Sequence, residues 1–267
     1  MSAGPVVRIA MWSGPRNIST AMMRSFGERA DCAVTDEPFY AAYLLATGFI
    51  HPMREEVVAS QPSDWREVAD ALVGPPPERK LLWYQKHMTH HMLPHFGRDW
   101  CDGLVNAFLI RAPEAVLASY SLKREDFTLQ EIGLPTQADL FDRAADRLGH
   151  APPVIESRDV LADPPGVLSA LCAACGVSFD SAMLSWAAGR RATDGVWAPA
   201  WYQSVEQSTG FAAPRREIAL DDLPDGLKPI AAAARPIYDR LAAHKLAGAP
   251  LDWRKEVREA DHRAFRP

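Results

Sequence analysis

The sequence has little of what marks several protein classes. Cysteine is scarce: Cys32, Cys101, Cys172 and Cys175 are the only four in 267 residues. Four scattered cysteines in a chain of this length make no disulfide framework. Cys172-Ala-Ala-Cys175 has redox or half-zinc spacing, but it sits in an apolar stretch that reads as a buried helix ending at Gly176, which favours small core residues. No apolar run reaches about 18 residues, so no membrane span is expected. Met1 to Met11 lacks a basic stretch followed by a long apolar one, which leaves the cytoplasm as the expected location. Positive charge is also in deficit. With 29 Lys+Arg against 34 Asp+Glu, the formal net charge is −5, which argues against a broadly basic nucleic-acid surface. What is present, 48% hydrophobic and 24% charged residues, is the composition of an ordinary globular chain and excludes global disorder. Any strongly anionic ligand must then be held by a few cations placed locally.

No internal repeat or low-complexity linker divides the chain, so one domain is expected over residues 1–267. Val6 to Trp12 reads as a strand, Ser13 to Asn17 as a turn, and Ile18 to Phe26 as a helix. Cys32 to Thr35 is a second strand, running into Asp36-Glu37-Pro38. Phe39 to Thr47 reads as a helix stopped by Gly48, and Asp64 to Val73 as a helix from an Asp cap to Gly74. Lys80 to Gln85 is a third strand ending at Lys86, followed by a helical segment from His87 to His95. Leu104 to Ile110 is a fourth strand ending at Arg111, with Pro113 opening a helix to about Lys123. Thr136 to Leu148 is a helix and Pro153 to Ile155 a fifth strand ending at Glu156; Pro165–Cys175 and Asp180–Ala188 are helices. Residues 189–212 have no clear period but carry Arg190, Arg191, Trp197, Trp201 and Tyr202, a candidate lid. A helical segment is expected over 223–267, broken or kinked at Pro229 and Pro236.

Strands alternating with helices indicate an α/β fold with a mostly parallel central sheet flanked by helices. In such sheets, ligands sit beyond the carboxyl ends of the strands. Arg16, Glu37, Lys86 and Arg111 each follow an expected strand and would converge on one edge.

Two motifs carry chemistry. Trp12-Ser-Gly-Pro-Arg-Asn-Ile-Ser-Thr-Ala21 lies between a strand and a helix, where first-turn N–H groups, two hydroxyls and Arg16 can cradle a phosphate. It is not a Walker A loop, which would need Gly and Lys where Ile18 and Ser19 stand. In Leu109-Ile-Arg-Ala-Pro-Glu-Ala-Val-Leu-Ala-Ser-Tyr120, Arg111 ends a strand and Ser119 follows two helical turns on, a pairing that can grip a second phosphate.

Together these motifs resemble the sulfotransferases that use 3′-phosphoadenosine 5′-phosphosulfate (PAPS), in a divergent bacterial-type branch. Pro15-Arg16-Asn17-Ile18-Ser19-Thr20 stands where that family has its P-K-S-G-T-T loop, with Arg16 for Lys and Ile18 for Gly. Arg111, Ser119 and Tyr120 match the spacing of the family's 3′-phosphate site. Glu156-Ser-Arg-Asp-Val-Leu-Ala-Asp-Pro164 is similar to its E-D-L…D-P segment, and Gly189-Arg190-Arg191 stands where it has a basic R-K-G loop.

The resemblance implies a P-loop-like sulfotransferase architecture and transfer of a sulfuryl group from PAPS to a hydroxyl or amine, with PAP as product and no obligatory metal. Pro15 to Thr20, Arg111, Ser119, Arg190, Arg191 and Trp197 would bind the donor. Arg16 would clamp the 5′-phosphate, and Lys86 would stabilise charge at the transferring group. The base is open between two family arrangements. Glu37-Pro38 resembles the one with a Glu after the second strand and is favoured over His90, while the position two residues after Lys86, where a His stands in the K-x-H pattern, is Met88, flanked by His87 and His90. His87, His91 and His95 have i, i+4, i+8 spacing on a helix and suggest zinc, but no acidic base lies in the motif, so no metal site is assigned. Among Trp12, Trp83, Trp197, Trp201 and Tyr202, candidate stacking residues, Trp83 reads as core and Trp197 and Trp201 as the better site candidates.

A small-molecule acceptor is expected rather than a polyanion, with no nucleic-acid or membrane partner. The acceptor should be chosen by Phe39–Gln61, Leu129–Thr136 and the lid, none of which carries a readable code. Two other readings stay open: a nucleotide-dependent phosphotransferase on the same fold, and a catalytically silent PAP-binding protein.

Overall fold

The computed structural model describes residues 5–122 and 127–248. Five strands form one sheet in the order β2-β3-β1-β4-β5. They are β1 (Val7–Ser13), β2 (Cys32–Asp36), β3 (Leu82–Met88), β4 (Val105–Ile110) and β5 (Val154–Glu156). Every pairing is parallel, so all five carboxyl ends lie on one edge.

Helices cover both faces, as a parallel sheet requires. On one face α1 (Ser19–Gly27) lies with Met22, Met23 and Phe26 against Ile9, Met11 and Tyr84. Past it along the chain come α2 (Tyr40–Thr47), α3 (Arg54–Ser60) and α4 (Trp65–Val73). The α4 N-terminus is capped by Asp64, whose carboxylate accepts from Arg66 N at 2.9 Å. Its Val68, Ala69 and Leu72 join the opposite face of the sheet, together with α5 (Pro113–Tyr120) and α6 (Leu134–Leu148). The first face is completed by α7 (Ser157–Ala162) and α8 (Pro164–Ala174); Cys172 inside α8 and Cys175 at its C-cap are buried free thiols. Burial pushes the Cys172 thiol up to about 11 and the Cys175 thiol up to about 12, which suits packing rather than redox chemistry.

Several expectations are corrected. β3 continues through Lys86, His87 and Met88, and only a single 3₁₀ turn, Thr89–His91, replaces the expected helix from His87 to His95. Polar residues persist in this central strand because each finds a partner: Gln85 Nε2 donates to Leu72 O at 2.8 Å, and His87 stacks on Trp12. Asp180–Ala188 is not a helix beyond the 3₁₀ turn Ser181–Leu184. Residues 189–212 are partly regular, with α9 (Ala198–Trp201) and α10 (Gln203–Glu206), and Trp197, Ala198 and Tyr202 are buried against α2 and α3.

The later helix is α11 (Lys228–Ala242). It keeps Pro229 in its first turn and Pro236 inside without a break, and packs its Ala231, Ala234 and Leu241 on the α5–α6 face. Lys123, where the α5 helix was expected to end, and the last part of the 223–267 segment, from residue 249 on, lie outside the described residues. Among the described residues no helix is long and apolar enough to cross a membrane.

Candidate functional site

The loop after β1 passes close beneath a neighbouring segment. A side chain at Gly14 would overlap the Ile132 carbonyl oxygen, so only glycine fits there. Beyond buried Pro15, Arg16 and Ile18 both take left-handed backbone conformations, at φ 62° and 55°. Residues with side chains adopt that region at a cost of about 1–3 kcal/mol, and such strain gathers where a loop is shaped for a ligand. Ile18 is the N-cap of α1, so Ser19 and Thr20 open the helix with first-turn N–H groups that have no intrahelical acceptor. Asn17 is buried and ties the loop down: its Nδ2 donates to Leu109 O at 3.1 Å, and its carbonyl accepts from Ser157 at 3.3 Å.

The two motifs meet. Arg16 Nε donates to Ser119 Oγ at 3.0 Å, and Arg111 NH1 donates to the Arg16 carbonyl at 2.5 Å. Arg16 therefore reaches toward the Arg111–Ser119 side. Both guanidinium groups are held below their ordinary pKa. Burial is the first cause for each; Arg215 adds repulsion at both, and Arg16 adds it at Arg111. Arg215, exposed on the segment after the candidate lid, is a third cation at this place, and its carbonyl accepts from Arg158 at 3.1 Å. Among the described residues no carboxylate forms an ion pair with Arg16, Arg111 or Arg215. Glu156 acts on Arg111 electrostatically, but its Oε2 caps α7 through the N–H groups of Arg158 and Asp159. With no carboxylate ion pair among the described residues, these arginines and the N-terminus of α1 could hold an anion.

The β2–β3 half is built differently. Lys86 sits beside Asp36 in the sheet register and is 1% exposed. Its Nζ donates to Glu37 Oε1 at 2.5 Å, to Tyr202 OH at 2.6 Å and to Asp36 Oδ1 at 2.9 Å. An ammonium has three protons, so all are engaged. Burial alone would lower the Lys86 pKa, but Asp36 and Glu37 more than offset it and the pKa is raised. Glu37 follows β2 at φ 39°, held there by its own N–H to Lys86 O at 3.0 Å. Burial first, then the neighbouring Asp36 charge, raises its carboxyl pKa in spite of Lys86. Tyr202 OH donates to Asp36 at 2.8 Å from Oδ2 and accepts from Trp197 Nε1 at 2.9 Å.

The histidines do not share a helical face. His87 points to the opposite side of the sheet from Lys86, stacked on Trp12 at 4.5 Å, and burial lowers its pKa to about 3. His91 stacks between Tyr40 and Tyr43, and its pKa is pushed well down by burial and by its charged neighbours. His90 packs edge-on to Tyr43 and to His91, and His95 lies against Phe96. The spacing that suggested zinc needed a helix that does not form.

Arg191 is placed away from the arginine cluster. Its NH2 pairs with Glu28 at 2.6 Å, just past the C-terminal end of α1, while the phosphate loop is at that helix's N-terminus. Arg190, its neighbour in the same turn region, is exposed. Trp197 is 1% exposed, with its ring edge-on to Tyr40 at 5.2 Å, so it acts as a buried support for Tyr202. Trp83 and Trp12 are core residues whose indole N–H groups donate to Thr35 and Asn106. Trp201 is half-buried at the end of α9.

Sequence reasoning missed two residues, Asp36 and Arg215, and read only the ring of Tyr202. Asp36 carried a signal, being a carboxylate at a strand's last position; Arg215 carried only its place in Pro214-Arg215-Arg216.

Comparison with known proteins places this architecture. A family model described as "Sulfotransferase domain" matches residues 7–245, and the chain belongs to that family. Among solved structures, a sulfotransferase from Alicyclobacillus acidocaldarius superimposes with a TM-score of 0.55 at 15% identity, covering 92% of this chain and 98% of that one. The sulfotransferase domain from the curacin biosynthetic pathway gives 0.50 at 16% identity, over 88% of this chain and 99% of that one. At these identities the likeness concerns the fold, the P-loop-like sulfotransferase architecture. Two curated proteins of Arabidopsis thaliana, branched-chain-amino-acid aminotransferase-like proteins 1 and 2, are 35% and 32% identical over 208 residues. The match covers 78% of this chain but only 37% of each of those proteins, whose name describes the longer whole.

Proposed function

We propose that the chain transfers a sulfuryl group from PAPS to a hydroxyl or amine of a small acceptor. The observation that carries this reading is the convergence of Arg16, Arg111 and Arg215, without a carboxylate partner among the described residues, beside the strained loop that opens α1. The residues fit a donor bearing two separate phosphate groups. The Gly14–Thr20 loop and the first turn of α1 would take the 5′ side. Arg111, Ser119 and Arg215 would take the 3′-phosphate, with Arg16 bridging the two through its bond to Ser119. When bound, PAPS supplies a sulfuryl group activated by its link to phosphate.

The chain's own residues do the rest. Glu37 would accept the proton of the acceptor hydroxyl or amine as the acceptor takes the sulfuryl group from PAPS, with PAP as the leaving group. A raised pKa suits this task, because a base with greater proton affinity takes more of the acceptor's proton at neutral pH. Lys86 holds Glu37 in place. A bond from Lys86 to the transferring group requires one of its three present bonds to be given up. Arg16 and the α1 N-terminus then stabilise charge on the leaving phosphate. The acidic balance of the chain around this cationic patch favours a small acceptor over a polyanion.

The test is transfer of radiolabelled sulfate from PAPS into a mixed pool of hydroxyl and amine acceptors, beside calorimetry with PAP. Labelled product with wild type, and PAP binding without product for Glu37→Gln, are expected. PAP binding without any transfer leaves a silent binding protein, and magnesium-dependent ATP turnover without PAP binding leaves a phosphotransferase.

A further inference from the structure

Two carboxylates compete for one buried ammonium. Lys86 Nζ is 2.9 Å from Asp36 Oδ1 and 2.5 Å from Glu37 Oε1. Nothing in the transfer reaction calls for Asp36, yet its carboxylate is the hub of the cluster. It accepts from Lys86, from Tyr202 OH, and through Oδ2 from the Gly195 N–H at 3.0 Å. The last two donors come from one segment. That segment is fastened further by Asp194, which pairs with Arg24 of α1 at 2.6 Å with both side chains buried, and by Trp197, whose indole fixes the Tyr202 oxygen. Gly195 has no room for a side chain because Trp197 fills it. Residues 194–202 thus form a strap that crosses from α1 to the end of β2.

Resting on the reading of Glu37 as the base, we propose that Asp36 and Tyr202 are positioning residues that set how strongly Glu37 holds a proton. Asp36 draws Lys86 away from Glu37 and adds a second negative charge. Tyr202 limits this through its hydroxyl, which lies 2.8 Å from Asp36 Oδ2 and 3.3 Å from Glu37 Oε1. The strap that carries Tyr202 therefore adjusts the base without touching substrate. Among the described residues, the titratable groups that act on Glu37 are Asp36 at the end of its own strand, Lys86 from β3, Tyr202 from the strap and Tyr40 from α2. His91, on the turn after β3, has its pKa pushed well down by burial first, with nearby His90, His51 and Lys86 adding to it.

The signs differ for the two residues, which separates tuning from general damage. Removing the Asp36 charge leaves Lys86 to Glu37 alone and favours the Glu37 carboxylate. Removing the Tyr202 hydroxyl takes away its own 3.3 Å contact with Glu37 Oε1, leaves Asp36 short of a donor and strengthens the hold of Asp36 on Lys86, and each of these favours protonated Glu37. The experiment is carbon-13 NMR titration of the Glu37 carboxyl, assigned by its loss in Glu37→Gln, in the full chain with wild type, Asp36→Asn and Tyr202→Phe. The Glu37 midpoint is expected to fall by about one pH unit in Asp36→Asn and to rise by about half a unit in Tyr202→Phe. The acid limb of kcat against pH should move in the same directions. Shifts of one sign in both variants, or none in either, overturn the proposal. Should Asp36→Asn fail to fold, Tyr202→Phe decides alone: an upward shift supports the proposal, and an unchanged or lowered midpoint overturns it. The NMR reading needs no turnover, so a wild type that titrates as expected but transfers no sulfate counts against the proposed reaction and not against the tuning.

Discussion

The two halves of the sheet edge handle positive charge in opposite ways. On the β1–β4 side, Arg16, Arg111 and Arg215 lie near one another with no ion-pair partner among the described residues, and burial and mutual repulsion lower the Arg16 and Arg111 pKa values. On the β2–β3 side, Lys86 is buried with every proton engaged and its pKa raised. The difference teaches where a ligand contributes. In the proposed reading the donor's phosphates meet the arginine half, whereas the lysine half finds its partners within the fold.

Substitutions can break this contrast, and the largest effect should come from the base. Glu37→Gln is expected to lower kcat by about 10²- to 10⁴-fold while PAP affinity is kept, read by sulfate transfer and calorimetry side by side. Lys86→Met should follow, costing about 3–5 kcal/mol of folding stability in urea titration, because it leaves Asp36 and Glu37 buried without their counter-ion. Arg111→Ala should do the reverse. We expect it to weaken PAP binding by about 10- to 100-fold, the range of a lost hydrogen bond to a charged group, while the melting temperature of the free protein barely moves. If Arg111→Ala unfolded the free protein as Lys86→Met does, the contrast would be wrong.

Acid sharpens the comparison further. The β3 side carries His87, buried neutral with its pKa lowered from 6.5 to about 3. The unfolded chain then binds more protons than the native one between these values, so stability is lost as pH falls from about 6.5 toward 3. The loss approaches about 1.4 kcal/mol per pH unit for this group alone. Urea titrations across that range, with His87→Gln as a flatter reference, measure it. Arg191→Ala should have the smallest effect. Its partly exposed pair with Glu28 is worth under about 1 kcal/mol, and PAP affinity should be unchanged, because the guanidinium lies at the far end of α1 from the loop.

Particular residues show what the sequence made legible. Asp64 and Gly74 bound α4 because a cap and a stop act locally. The convergence of Arg16, Glu37, Lys86 and Arg111 on one edge followed from the alternation of strands and helices, which only a parallel sheet accommodates. β3 was cut short because Lys86 and His87 look unfit for a buried strand; their partners, Tyr202 and Trp12, are remote in sequence. The same holds for Arg191, whose partner Glu28 is 163 residues away, and for Arg215, which reaches the cluster only through the path of the chain after α10. Asp36 was passed over because a carboxylate at a strand end reads as solvated until Lys86, Tyr202 and the Gly195 N–H are seen around it.

The most direct measurement is a calorimetric titration of PAP into wild type and Arg111→Ala, with 5′-AMP as the ligand lacking the 3′-phosphate. Saturable PAP binding by wild type is predicted, weaker binding of 5′-AMP, and a narrower gap between the two ligands in Arg111→Ala. A wild type that binds neither ligand, or one that binds both equally, would contradict the account.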